Sequence, residues 1–498
     1  MNLPRLTWPT VLGIMLLFSF VTRWGSITQE ILDWDESTFI VLAGSVARGH
    51  LPYVEMWDIK PPLFFLIMGG AMRVFGESIV TARGVGLVGV AITALFVTLL
   101  TARLSCQRNA WIAGFLYIFA AAAFPVQPAM TETVELAFLL ASVFVLLAFR
   151  HSLFGIFLVG FLISLATLTR TNLATTVIFY GILIASGLFR PNSVMPQRLG
   201  VFAYVIGGII PLGAVSWLYW INGELDLFWI TNVDVVLNNA GGQRSFLLNG
   251  ILVLLAIPVA SVAFPDLWGS FLLFPIAKHA RGLWTQLAKM IPDLKTEGGL
   301  IASTAISVWL GMALSGNFTW HHLLQLAPFL AIGAAVSLPT APLKWHKIYA
   351  LIALVGLAIR TLPSFTVALL VGPSELERNF PIRSIAEYIK DQRTEDDEVL
   401  VLAGQLIYFY LAQPPMVFFA VHPSNIIRDN IETVVVDKGL APPQAFEKAV
   451  ASKPRFVLMP KEPLWYLEVP RADVLHEMLA QSYRPTLEKG DFVLYERL

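Results

Sequence analysis

Three carboxylates crowd the short stretch Asp33-Trp34-Asp35-Glu36, and Lys60 stands directly ahead of Pro61-Pro62. A carboxylate in a partly apolar setting holds its proton more tightly, which suits a general base that takes a proton from a hydroxyl near neutral pH. Tandem prolines suit the first turn of a helix, and a helix N-terminus beside an ammonium makes a good phosphate site. Proton removal next to a phosphate-bearing substrate is therefore one reading of these residues. The plainer reading is a solvated loop in which Asp35 caps the following helix, with Ser37 or Thr38 as competing caps. Two neighbouring carboxylates such as Asp35 and Glu36 could also hold a divalent metal ion.

Further polar groups recur at Thr131-Glu132-Thr133-Val134-Glu135, at Thr169-Arg170-Thr171-Asn172 and at Asn317-Phe318-Thr319-Trp320-His321-His322. Each has an ordinary explanation: Glu132 as a first-turn acid favoured by the helix dipole, Arg170 as a cation snorkelling to the surface, and the histidine pair as structural. Their co-occurrence is more informative than any one of them. The spacing of His279, His321, His322 and His346 is not that of a metal centre, and the chain has no Gly-rich phosphate loop.

The elements that must hold these residues follow from composition. The 498 residues include 34 basic and 34 acidic side chains, with 56% hydrophobic and only 14% charged, against about a quarter charged in soluble domains. Such a chain cannot cover a large soluble enzyme, and its neutrality argues against nucleic acid as a partner. A single cysteine, Cys106, excludes a disulfide framework and a cysteine-based zinc cluster. A bilayer span needs about 20 mostly apolar residues. Such runs fall near 8–26, 81–100, 111–127, 134–149, 152–169, 173–189, 200–219, 248–274, 299–315, 321–338 and 348–371, so about eleven transmembrane helices are expected. Pro258 and Pro265 would kink the eighth run or mark a re-entrant piece. The first run, with no small-residue cleavage site after it, reads as an anchor and not as a signal peptide.

Orientation follows from the basic residues of short loops. With the N-terminus inside, Arg103, Arg108, Arg150, Lys344 and Lys347 all fall on the cytoplasmic side, whereas the connections near 128–133 and 316–320 contain neither Lys nor Arg. The carboxylates, Lys60, Arg170 and the His321-His322 pair then all face outward, on a face that includes the long first outer loop at about 27–80. The apolar positions Phe39, Leu42, Ala43, Val46 and Ala47 predict an amphipathic helix lying at the interface, ended by Gly49. Near residue 372 the composition changes. Strand-like runs at Val399–Ala403, Thr433–Val436, Arg455–Met459 and Phe492–Tyr495 alternate with helical stretches at Pro443–Ala451 and Ala472–Gln481. The expected organisation is a membrane domain over 1–371 and a small soluble α/β domain over 372–498, outside the membrane.

The order Asp35-Glu36, then Gly49-x-x-Pro52-Tyr53, then Trp57-x-x-Lys60-Pro61-Pro62-Leu63, resembles glycosyltransferases of the GT-C fold that use lipid-phosphate sugars. The nearest groups are the bacterial aminoarabinose transferases of lipid A and the protein O-mannosyltransferases. The run Phe318-x-x-His321-His322-x-x-Gln325-x-x-Pro328 is similar to a His-Tyr segment of the bacterial members, with His322 in place of the tyrosine. The resemblance implies a multi-span enzyme of the bacterial cytoplasmic membrane with Asp35 as the catalytic carboxylate and Glu36 beside it. It implies Lys60 and Arg170 at the phosphate of a polyprenyl-phosphate sugar, and substrate-binding roles for Tyr53, Glu132, His321 and His322. The implied acceptor is a glycolipid such as lipid A or its core, a cell-wall glycan, or a protein, and the implied outcome is single-step transfer with inversion. A polysaccharide polymerase or ligase would use the same donors. A lipid-linked sugar transporter or flippase fits less well, because transporters place ionisable groups at mid-bilayer on two related halves, and no internal repeat is visible here.

Overall fold

The structure is a computed structural model that describes residues 7–122, 129–187, 197–240, 245–264, 268, 293–315, 318–338, 344–394, 397–426, 429–462, 467 and 469–498. Its first twelve helices are α1 (Trp8–Arg23), α2 (Trp34–Ala47), α3 (Pro62–Phe75), α4 (Ile79–Leu104), α5 (Gln107–Ala122), α6 (Thr131–Phe149), α7 (Leu153–Thr169), α8 (Ala174–Ala185), α9 (Gln197–Ile221), α10 (Leu225–Trp229), α11 (Val235–Ala240) and α12 (Phe246–Ala263). Among the described residues, seven helical segments are long and apolar enough to cross a membrane, and Pro62–Phe75, Leu153–Thr169, Thr171–Ala185 and Ala327–Ser337 are shorter apolar helices. The chain is a multi-pass, mostly helical membrane protein with a small C-terminal sheet. Helix α12 runs unbroken through Pro258, while Pro265, His279 and Asn317, like the ends of the runs expected at 111–127, 173–189 and 248–274, lie outside the described residues.

Two compact units divide the chain. The first comprises 1–25, 86–217 and 243–366. Its core is built from helix faces rich in Leu, Val, Ile and Ala, including Val11, Met15, Leu136, Leu140, Ile163 and Met312. Helices α7 and α9 approach so closely that a Cβ at Gly160 or Gly207 would collide with the carbonyl of Tyr204 or Phe157. Small residues at such crossings let apolar helices associate by packing alone. One expectation fails in this unit: 321–338 is not one span. Trp320–Gln325 is a 3-10 turn opened by a capping box between Thr319 and His322, and a new helix, Ala327–Ser337, starts with Pro328 in its first turn. Proline cannot continue a preceding helix but fits the start of the next.

The second unit comprises 26–85, 218–242 and 367–498. Helix α3 begins at Pro62, as the tandem prolines predict. Helix α2 ends before Gly49 (φ +109°) but is not the one-sided interfacial helix expected: every residue from Glu36 to Ser45 is buried. Its Phe39 meets Phe64 and Phe65 of α3, and neighbouring elements cover its remaining sides. The sheet is ordered β1 (Val399–Val401), β2 (Phe456–Pro460), β4 (Phe492–Arg497), β3 (Tyr483–Lys489), with β1 and β2 parallel and the remaining pairs antiparallel. Three of the four strand-like runs thus become strands. The fourth, Thr433–Val436, lies in the helix Asp429–Asp437, where only Ile431 and Val435 among 431–437 are buried. That spacing of four is helical burial overriding β-branched propensity. Strand β3 was hidden by Pro485 and its charges, which suit an exposed edge strand.

Candidate active site

Asp33, not Asp35, caps α2: its Oδ1 accepts the Asp35 amide at 2.8 Å. Burial, followed by the neighbouring Asp35 charge, pushes the Asp33 carboxyl up to about 6. Asp35 sits in the first turn with its own carboxylate directed at another partner. His422 Nε2 lies 2.7 Å from Asp35 Oδ1. On the other side of that ring, Nδ1 accepts the Ser424 amide at 3.2 Å, with the Ser424 hydroxyl at 2.8 Å. An amide N–H can only donate, so Nδ1 is bare and the imidazole carries its proton on Nε2, donating it to Asp35.

Glu36 is committed elsewhere. Arg83 of α4 grips both of its oxygens, Nε to Oε1 at 3.2 Å and Nη2 to Oε2 at 2.8 Å, with both side chains almost fully buried. The same guanidinium donates to the carbonyls of Ser26 (2.7 Å), Gln29 (2.6 Å) and Glu30 (3.2 Å). A fork of this kind satisfies the charge and leaves Glu36 a structural anchor for the start of α2. The expectation that Asp35 and Glu36 share a divalent ion meets a physical obstacle, since one faces His422 and the other is held by Arg83.

The loop carrying Lys60 is stitched down residue by residue. Tyr53 is fully buried with a left-handed φ of 77°, a conformation that costs a non-glycine residue free energy. Its ring packs beside Tyr219 at 6.1 Å, and its hydroxyl donates to the Lys60 carbonyl at 2.6 Å. The Lys60 amide donates to Asp58 Oδ1 at 2.9 Å. Trp57 donates its amide to the Phe418 carbonyl and its indole N–H to Thr231 Oγ1, each at 2.9 Å. Lys60 is therefore held on both sides through its backbone. Its ammonium makes no hydrogen bond or ion pair among the described residues, and the residue directly precedes Pro61, the N-cap of α3. Tyr53, expected to bind substrate, instead acts here as the clamp behind Lys60.

In the first unit, the start of α6 and the turn after α7 form a buried polar group of their own. Arg170 pairs with Glu132, lies 3.9 Å from Glu135 Oε2 and donates to Thr131 Oγ1 at 3.0 Å. The Thr131 hydroxyl in turn donates to Glu132 Oε2 at 3.0 Å. Gln325 donates to Glu135 and accepts from Asn172 at 2.8 Å. Arg170 thus does not snorkel; it is 7% exposed and surrounded by acids. His321 Nε2 is 3.6 Å from Glu132 Oε1, and the His321 and His322 rings are perpendicular with centroids 4.6 Å apart.

Ligand atoms of Glu132, His321 and His322 all lie within 4.8 Å of one another, so these three could hold a metal ion. Two imidazoles and a carboxylate are a donor set that zinc accepts, and Thr131 and Arg170 would support the carboxylate from behind. The fit is incomplete, because His322 Nδ1 accepts the Thr319 amide at 3.4 Å, which leaves the proton on Nε2. Linear spacing could not join Glu132 to the two histidines, because they come from the starts of two helical elements far apart in the chain.

No protein-family model matches the sequence, and no curated protein matches it. Among solved structures, the chain is similar to ArnT from Cupriavidus metallidurans bound to undecaprenyl phosphate, with a TM-score of 0.62 over 98% of both chains at 16% identity. The apo state of that ArnT gives 0.61 over 98% of this chain and 97% of the other, again at 16% identity. The apo oligosaccharyltransferase of Archaeoglobus fulgidus aligns at 0.47 and 10% identity, over 92% of this chain and 70% of its own. The chain therefore has the fold of ArnT, the GT-C architecture implied by the motif resemblance.

Proposed function

We propose that this protein is an inverting glycosyltransferase that moves a sugar from a polyprenyl-phosphate donor to a hydroxyl of an envelope acceptor, at the outer face of the cytoplasmic membrane. The supporting observation is Lys60: an ammonium with no hydrogen bond or ion pair among the described residues, on a residue fixed through its backbone just ahead of a helix N-terminus. The fold is shared end to end with a protein whose structure holds undecaprenyl phosphate, and this is the same ligand chemistry.

In the proposed reaction the acceptor hydroxyl attacks the anomeric carbon as the bond from that carbon to the phosphate oxygen breaks. The hydroxyl proton passes to Asp35, and the lipid phosphate leaves with the bonding electrons. Lys60 balances the negative charge that grows on the departing oxygen, so no protein acid is needed. Glu36 and Arg83 keep the start of α2 in place. Within the first unit, the motif resemblance assigns Glu132, His321 and His322 to substrate binding. Arg170, already neutralised by two acids, orders those groups and is a poor phosphate ligand.

The test is mass spectrometry of envelope glycolipids and glycans from cells lacking the gene. A sugar-bearing species should disappear, return with the wild-type gene, and stay absent with Asp35→Asn although that variant accumulates in the membrane. An unchanged glycan profile, or full restoration by Asp35→Asn, would refute the proposal.

A further inference from the structure

We infer that His422 is a positioning residue for Asp35, supplied by the C-terminal part of the chain. The inference rests on the reading of Asp35 as the proton acceptor. Segment Phe418–Asn425 is fastened to α2 and to the Lys60 loop at three points. The Thr38 hydroxyl donates to the Val421 carbonyl at 3.1 Å, the Trp57 amide donates to the Phe418 carbonyl at 2.9 Å, and His422 reaches Asp35 at 2.7 Å. Asn425 adds a brace inside the segment by donating to the Phe419 carbonyl at 3.0 Å. His422 and Asp35 side chains are only 11% and 17% exposed, so the bond between them is largely shielded from water.

The arrangement of Ser424, His422 and Asp35 has the membership of a hydrolase triad but not its chemistry. A triad imidazole must take a proton from the serine, and here the Ser424 amide already occupies Nδ1. The Nε2 position is also filled by its proton, so His422 cannot relay a proton away from Asp35. What remains is orientation: a fixed donor on Oδ1 sets the rotation of the carboxylate and stabilises its ionised form. Among the described residues, Asp33 and Glu36 from the same turn are titratable neighbours, with Arg83 of α4 acting through Glu36.

Two substitutions separate this role from a purely structural one. His422→Asn keeps an acceptor where Nδ1 stood, so it still caps the Ser424 turn, but it is too short to reach Asp35. His422→Gln places an N–H near the position of Nε2 and gives up the cap. The readout is carbodiimide and glycine ethyl ester labelling of Asp35 in the purified full-length protein, followed by mass spectrometry across pH, because the reagent attacks the protonated carboxyl. It needs neither donor nor acceptor, so it can fail independently of the proposed transfer reaction. Losing a charge-assisted donor should move the half-labelling pH of Asp35 upward by about one unit in His422→Asn, while His422→Gln stays near wild type. Where sugar transfer is measured, His422→Asn should lower kcat about tenfold with donor KM little changed, and His422→Gln should recover most of it. A half-labelling pH that is unchanged in His422→Asn, or moved equally in both variants, overturns the inference.

Discussion

At the scale of single residues, the account depends on which charges are already spent. Glu36 and Arg170 are both consumed by protein partners, whereas the Lys60 ammonium has none among the described residues. Asp35 and Lys60 stand out in the sequence as candidates because unusual residue types stand beside proline and aromatic markers. His422 does not, since its partner lies 387 residues away and nothing in its own neighbourhood signals chemistry. Glu30 was equally invisible: it is buried and accepts the amides of Ile382 and Arg383 at 2.7 and 2.9 Å. Burial pushes the Glu30 carboxyl up to about 7, although those amides pull the other way. The folded protein therefore holds this proton more tightly than the unfolded chain, and stability should fall as pH rises from about 4.5 to 7. Asp33 acts in the same direction at slightly lower pH. The Glu30 contribution is on the order of 3 kcal/mol. Glu30→Gln should flatten the pH dependence of Tm across that window, and an unchanged slope would contradict the assignment.

At the scale of elements, the second unit is organised by one guanidinium. Arg83 joins the start of α2 to the three carbonyls of the segment before it. Removing it would strand a buried carboxylate and leave those carbonyls without their donor. Arg83→Met should cost about 3–5 kcal/mol, read as a fall in Tm, and adding Glu36→Gln should recover part of the loss because no charge is then stranded. A Tm within one degree of wild type in Arg83→Met would show that the pair contributes nothing. Periodicity identified α2 but not its surroundings: apolar Phe39, Leu42 and Val46 mark one face, and only tertiary packing reveals that Glu36, Ser37 and Thr38 are buried as well. The break at Trp320–Gln325 was unreadable for a similar reason, because an apolar run reports hydropathy and not the direction of its backbone.

For the whole molecule, hydropathy, charge placement and the Asp-Glu to Lys-Pro-Pro order were sufficient to anticipate a multi-span protein of this fold, although family models and curated sequences show no match. Fold survives at 16% identity because packing asks only for apolar faces of suitable size, whereas sugar and acceptor choice depend on a few side chains. The C-terminal segment from Val367 clusters in one compact unit with the loop that carries Asp35 and Lys60. Within that unit the C-terminal segment reaches Asp35 through His422. The most direct measurement is the affinity of the purified protein for undecaprenyl phosphate by native mass spectrometry, comparing wild type with Lys60→Ala and with the exposed control Lys390→Ala. We predict binding by wild type and the control, and at least tenfold weaker binding by Lys60→Ala. Equal binding by all three would contradict the claim that Lys60 holds the donor phosphate.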